Sequence, residues 1–279
     1  MRVSPKQIRL AHAASPHLAR MLRACGGLEH AQREWQWIKN ELPKHEWAQA
    51  AYRRSRYEPL QYILGTQPFG TVEIKCRSGV LIPRWETEEW TMKLAELIEE
   101  NLPRASIIDG CTGTGCVALL LKSMVPQSSV LAFDLSPSAL SLAQENCTES
   151  GVTVFKHDVF TPLDQPADIV VANPPYIPQH DMERSQFHQG LERLVREWEP
   201  RMALEGDTEF YEALITNVVE PLKALAFVFE VGYKHQCDFV RKRLPQWKVV
   251  DYHDSADRIR CVVGYLPQSS WLEALTTSG

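Results

Sequence analysis

A chain of 279 residues, 44% of them apolar, has enough material for one large or two modest domains, each with its own core. Charged residues make up 23%, which excludes wholesale disorder. A net charge of -5 and a pI near 6.0 count against a protein that binds nucleic acid by neutralising phosphates. No apolar run approaches the roughly 18 residues of a membrane span. The best one, Ala224 to Phe229, is strand-sized, so no membrane partner is expected.

The segment from Met1 to Leu28 carries Arg2, Lys6, Arg9, Arg20 and Arg23 and no carboxylate. That composition suits a mitochondrial presequence. Leu18, Met21 and Leu22 equally suit the first core-facing turn of a folded helix. Location is expected to be mitochondrial, with the cytoplasm as the alternative. From Pro16 to Leu64, Trp35, Ile38, Leu42, Trp47, Ala51 and Tyr52 recur at helical spacing. Gly65, Pro68 and Gly70 then bracket short alternating runs, 71–76 and 79–82, which predict a hairpin. The division predicted is a helical domain at 1–66, a hairpin linker at 67–83, a larger domain at 84–267 and a loose tail at 268–279.

From Ser106 the texture becomes strand, helix, strand, helix. Buried-strand runs end at Asp109, Asp134, Lys156 and Ala172, and another covers Ala226 to Val231. Helices are predicted from Gly113 to Met124, from Ser136 onward, and around 210–222 and 235–244. Runs at 248–253 and 259–265 form an antiparallel edge pair. This alternation predicts an α/β fold, a doubly wound Rossmann-like sheet covered on both faces. Ligands in such sheets lie outside the carboxyl ends of the strands.

Those ends carry the chemistry. The first reads Asp109-Gly110-Cys111-Thr112-Gly113-Thr114-Gly115, a turn where a ligand can approach bare backbone at a helix N-terminus. It is not a P-loop, because Cys116 and Val117 follow Gly115 where Lys-Ser/Thr is required. The second strand ends in Asp134, placed to accept from both hydroxyls of a ribose, or else to cap the helix beside Ser136-Pro137. After the third strand, Asp158 can hold an exocyclic adenine amine, or else stand as a solvated loop aspartate, with Val159 beside it. The fourth ends in Asn173-Pro174-Pro175-Tyr176. Two prolines hold the backbone extended and remove two donors, which frees strand-end carbonyls such as that of Pro174. The Asn173 amide oxygen adds an acceptor, and Tyr176 a flat face. Such a corner grips a planar NH2 through both hydrogens. The seven cysteines contain no CxxC pair and there is no HExxH, so neither a disulfide framework nor a metal site is predicted.

The tetrapeptide after the fourth strand, with the glycine turn after the first, resembles methyltransferases that use S-adenosylmethionine to methylate planar amines in DNA, RNA or protein. Tyr57 through Gly65, Phe69, and Leu81-Ile82-Pro83-Arg84-Trp85-Glu86-Thr87-Glu88 are similar to the linker of the HemK/PrmC family. Glu199-Pro200 with Ala203-Leu204, Glu230-Val231-Gly232, and Asp254 through Arg258 are similar to that family's later motifs. The resemblance implies N5 methylation of the glutamine in the Gly-Gly-Gln tripeptide of a class I peptide-chain release factor. It also implies S-adenosylmethionine as methyl donor, a monomer, and a helical domain that binds the release factor. Asn173, Pro174, Pro175 and Tyr176 would be catalytic; Asp109, Cys111, Thr112, Gly113, Thr114, Gly115, Asp134, Asp158, Val159 and Asn173 would hold the cofactor. Cys111 stands where the family commonly has glycine, Trp85 where it has proline, and Val159 where some members have tryptophan. Two other readings are a nucleic-acid amino methyltransferase and an inactive, methyltransferase-like adaptor.

Overall fold

The computed structural model describes residues 3–183 and 193–277. The chain begins with five helices: α1 (Pro5–Ala14), α2 (Pro16–Met21), α3 (Leu28–Glu41), α4 (Trp47–Ser55) and α5 (Leu60–Leu64). Ser4 caps α1 by accepting from the Gln7 backbone N–H, with Pro5 at the first helical position. Ala11, Leu18, Met21 and Leu22 are buried against Ala31, Trp35, Ile38 and Ala51. The acid-poor start of the chain thus has its apolar side in a helical core.

The hairpin lies earlier than predicted. Strands β1 (Thr66–Phe69) and β2 (Val72–Lys75) pair across Gly70-Thr71, with Phe69 opposite Val72. Gly70 there has φ +56°, the left-handed conformation that a two-residue hairpin loop favours. Residues 79–82, expected as the second strand, are irregular. The Tyr62 hydroxyl of α5 donates to the Val80 carbonyl at 2.6 Å, tying this stretch to the helical domain.

A 17-residue helix, α6 (Trp85–Asn101), follows where no element was predicted. Its Trp90, Leu94 and Ile98 recur every four residues and are fully buried. Then come β3 (Ser106–Gly110), α7 (Cys116–Met124), β4 (Ser129–Asp134), α8 (Pro137–Asn146), β5 (Thr153–Lys156), β6 (Ile169–Ala172), β7 (Ala226–Glu230), β8 (Lys248–His253) and β9 (Ile259–Tyr265). The sheet runs β5-β4-β3-β6-β7-β9-β8; β3 to β7 are parallel, and β9 is antiparallel to both neighbours. One face packs on α6 and α7, the other on the 208–222 and 234–243 helices. The stretch from 268, expected as a loose tail, is instead packed. It forms a short 3-10 turn and the helix Glu273–Thr277, and it buries Leu272 and Leu275 against the α6 side of the core. Chain order reverses between β3 and β6, so their carboxyl ends open the crevice where a doubly wound sheet binds ligands.

Candidate active site

Two adjoining pockets lie at that crevice and share Leu81, Cys111, Gly113 and Asn173. The wider one adds Phe133, Asp134, Leu135, Ser136, Asp158, Val159 and Phe160 from the ends of β4 and β5. The smaller one adds Asp109, Thr112 and Thr114 of the turn after β3, and Arg84 and Thr87 at the start of α6. Three walls were not anticipated. Gly79–Leu81 close one side, and Pro200, Met202 and Ala203 close another; Phe210 meets Phe160 edge-on at 5.2 Å.

The glycine turn is organised from beneath. Asp109 is buried, and its Oδ2 accepts from the Thr112 hydroxyl and, at 3.2 Å, from the Ala118 N–H in the first turn of α7. Cys111 sits at φ +57°, so this chain places a side chain in the left-handed region that glycine adopts freely. That geometry costs about 1–2 kcal/mol for a residue bearing a Cβ. The Cys111 thiol is held well above its ordinary pKa by burial and by Asp134, Asp109 and Asp158, and so stays a neutral thiol. Gly115 lies on neither pocket wall. Its φ is +81°, and a Cβ there would lie 3.1 Å from the Cys147 sulfur and 3.3 Å from Ala143, so it serves the packing of α7 on α8.

Asp134 ends β4 with both oxygens engaged: Oδ2 accepts from Gly113 N–H and Oδ1 from Ser136 N–H, each at 2.9 Å. The Leu135 backbone also donates to this carboxylate, which has about four lone-pair sites, so acceptor capacity remains for a ligand hydroxyl. The helix-capping role belongs to Ser136, which accepts from the Ala139 N–H. Burial raises the Asp134 pKa above its ordinary value, opposed by those backbone donors. Asp158 uses Oδ1 for the Phe160 N–H at 3.0 Å. Val159 is buried beneath, its carbonyl accepting from Asn217.

At the end of β6, Pro174 and Pro175 are buried. Among the described residues no hydrogen bond reaches the Pro174 carbonyl. The Tyr176 carbonyl accepts from Gln236 at 2.8 Å, and its ring lies over Gly232, where a Cβ would come within 2.7 Å of a ring carbon. Its hydroxyl donates to Glu230 at 3.3 Å, and burial holds the phenol far above its usual pKa. Of the four corner residues, Asn173 and Pro175 line the cleft walls, whereas Pro174 and Tyr176 adjoin them without lining either pocket. Thr87, itself on the wall of the second pocket, and Glu230, noted in sequence only as parts of longer motifs, form a support beside Asn173. Arg84 pairs with the buried Glu199 and ties the linker to the turn at 200–203. Among the described residues no group of three metal-ligating side chains occurs, and no helix is long and apolar enough to cross a membrane.

Burial pushes the Asp109 carboxyl up to about 7, against the opposing pull of the Thr112 and Ala118 donors. Between its ordinary value of 3.8 and 7, the unfolded chain is ionised there and the folded one is not. The folded state therefore binds more protons, and stability falls as pH rises through that window. From pH 5 to pH 8 wild type is expected to lose roughly 3 kcal/mol that Asp109→Asn retains. Urea denaturation of both proteins at the two pH values checks this; equal slopes would show Asp109 ionised throughout.

A doubly wound sheet with a glycine turn after its first strand, an acid after its second and Asn-Pro-Pro-Tyr after its fourth defines a methyltransferase. The family model described as "Methyltransferase small domain" matches residues 86–207. The mitochondrial MRF1 N(5)-glutamine methyltransferase MTQ1 of Saccharomyces cerevisiae is 35% identical over 287 residues, covering 95% of this chain and 88% of that protein. The release factor glutamine methyltransferase of Streptococcus pneumoniae is 37% identical over 217 residues, 74% of this chain and 75% of that protein. The chain belongs to this N(5)-glutamine methyltransferase family. Among solved structures, the hMettl16 catalytic domain in complex with a MAT2A 3'UTR hairpin matches with a TM-score of 0.57 at 15% identity, over 77% of this chain and 81% of that one. That likeness is one of fold.

Proposed function

We propose that this chain transfers a methyl group from S-adenosylmethionine to the side-chain nitrogen of the glutamine in the Gly-Gly-Gln tripeptide of a class I release factor. One observation carries the reading: Asn173 stands on the shared wall of both pockets, between the carboxylates of Asp134 and Asp158 and the turn at 109–114. An amide acceptor thereby sits where a nucleoside-bearing ligand and a planar substrate amide would meet.

The residues present fit the donor. The remaining acceptor capacity of Asp134 suits a ribose diol, Asp158 Oδ2 an adenine amine, and buried Val159 with Phe133 the faces of a purine. Once bound, S-adenosylmethionine supplies an electrophilic methyl group on a sulfonium. The protein's share is to position and polarise. A glutamine nitrogen is a poor nucleophile because its lone pair is delocalised into the carbonyl. Hydrogen bonds from its N–H groups to Asn173 Oδ1 and the Pro174 carbonyl would return density to nitrogen and favour pyramidalisation. Pro175 stiffens that corner, and Tyr176, buttressed by Gly232 and Glu230, backs it. Asp109, buried and committed to the turn, takes no part in proton transfer. No base is assigned, since nitrogen is acidic once methylated and its proton can leave to water.

The mitochondrial name of the yeast relative supports action in the mitochondrion. The net charge of -5 lends nothing to a nucleic-acid substrate. An adaptor would have no need of acceptor capacity left on Asp134. Incubation of a recombinant class I release factor with the chain and S-adenosylmethionine, followed by peptide mass spectrometry, is expected to place one methyl group on the Gly-Gly-Gln glutamine. An unmodified peptide, or a methyl group elsewhere, would refute the reading.

A further inference from the structure

The support beside Asn173 has a direction built into it. Thr87 and Trp90, three residues apart on α6, both reach Glu230 at the end of β7. The Thr87 hydroxyl donates to Glu230 Oε2 at 2.7 Å, and the Trp90 indole N–H donates to the same oxygen at 2.9 Å. Burial raises the pKa of the Glu230 carboxyl, opposed by the Thr87, Trp90 and Tyr176 donors and by Arg260. As a carboxylate it only accepts, an indole nitrogen only donates, and a hydroxyl has a single proton to give. With that proton committed to Glu230, Thr87 turns only lone pairs toward Asn173. The Asn173 group 3.3 Å away is accordingly its NH2, which donates to Thr87 Oγ1. Reversing the amide would set its oxygen against an oxygen with no proton to offer. Thr87 and Glu230 are each only 2% exposed, so bulk water does not compete for these contacts.

We infer that Thr87, its proton held by Glu230, is the positioning residue that fixes the Asn173 side chain with its oxygen, not its NH2, toward the substrate amide. This rests on the proposed function, in which Asn173 Oδ1 accepts from the glutamine N–H. A substrate that offers two donors needs an acceptor, and an asparagine free to flip would present donors against donors for part of the time. Thr87 does not touch the reacting atoms and acts through Asn173.

The test compares initial rates of the full chain with S-adenosylmethionine and a recombinant class I release factor for wild type, Thr87→Val and Thr87→Ser. Thr87→Val keeps the shape and loses the hydroxyl. It is expected to lower kcat about a hundredfold, the order lost with one preorganised hydrogen-bonding group. KM for the release factor, and the affinity for S-adenosylhomocysteine by calorimetry, are expected to stay within about threefold, because binding is not what the hydroxyl serves. Thr87→Ser restores the hydroxyl and is expected to recover most of the rate. Wild-type kcat in Thr87→Val, or a serine variant as slow as the valine one, would overturn the inference. Thr87→Ala, which adds no methyl group to the buried site, gives the same reading should the valine variant fail to fold. A wild-type chain that leaves the glutamine unmethylated would instead refute the proposed function, and the inference with it.

Discussion

Asn173→Ala is expected to lower methyl transfer by about a thousandfold or more, at the upper end of what one preorganised polar group contributes. The substitution removes the side-chain acceptor from the wall common to both pockets and leaves the Pro174 carbonyl as the remaining acceptor at the corner. Affinity for S-adenosylhomocysteine should change little, because the ribose and adenine contacts assigned to Asp134 and Asp158 are untouched. A single-turnover methylation assay read beside calorimetry separates the two quantities. Turnover close to wild type would remove Asn173 from the chemistry. Asn173→Asp is no milder a change. It would set a second carboxylate beside buried Glu230, and Thr87, whose only proton goes to Glu230, would have no N–H donor facing it.

Asp134→Ala is expected to weaken binding of S-adenosylhomocysteine by about 10- to 100-fold, the range for losing hydrogen bonds to a charged acceptor. The carboxylate does two jobs. Its oxygens tether Gly113 N–H and Ser136 N–H, and the residue lines the wider pocket. Alanine removes both, so the turn after β3 loosens as the ribose acceptor disappears. Asp134→Asn keeps one acceptor oxygen but puts an NH2 against a backbone donor, so an intermediate loss is expected. Unchanged calorimetric affinity in both variants would place the cofactor elsewhere.

The sheet and much of the cleft could be read in advance because each parallel strand ends in a residue with distinct chemistry. Asp109, Asp134, Asp158 and Asn173 each follow an apolar run, and the doubly wound pattern sends all such ends to one edge. What escaped has identifiable physical causes. In α6, Glu86, Glu88, Glu89, Glu96, Glu99 and Glu100 surround the apolar stripe and mask its period. Residues 79–82 alternate like a strand but find no ladder partner, and their place on the cleft wall depends on the Tyr62 tether from α5. The segment after Pro267 has few apolar residues, yet Leu272 and Leu275 fall on one helical face. The support beside Asn173 joins Thr87 to Glu230, 143 residues apart, and only the meeting of α6 with the end of β7 brings them together. A buried carboxylate of this kind is visible in sequence only as an acid closing an apolar strand.

The cleft wall at Gly79–Leu81 bears on where this protein can be cut. The matched methyltransferase region runs from 86 to 207, which leaves out that wall on one side and β7 with Glu230 on the other. A fragment trimmed to those limits would leave the crevice open to solvent, and the asparagine corner would lose its backing. The smallest piece able to work therefore extends past both limits. It reaches back to the hairpin and forward through the antiparallel edge, whose Val262 and Val263 close the two faces of the core.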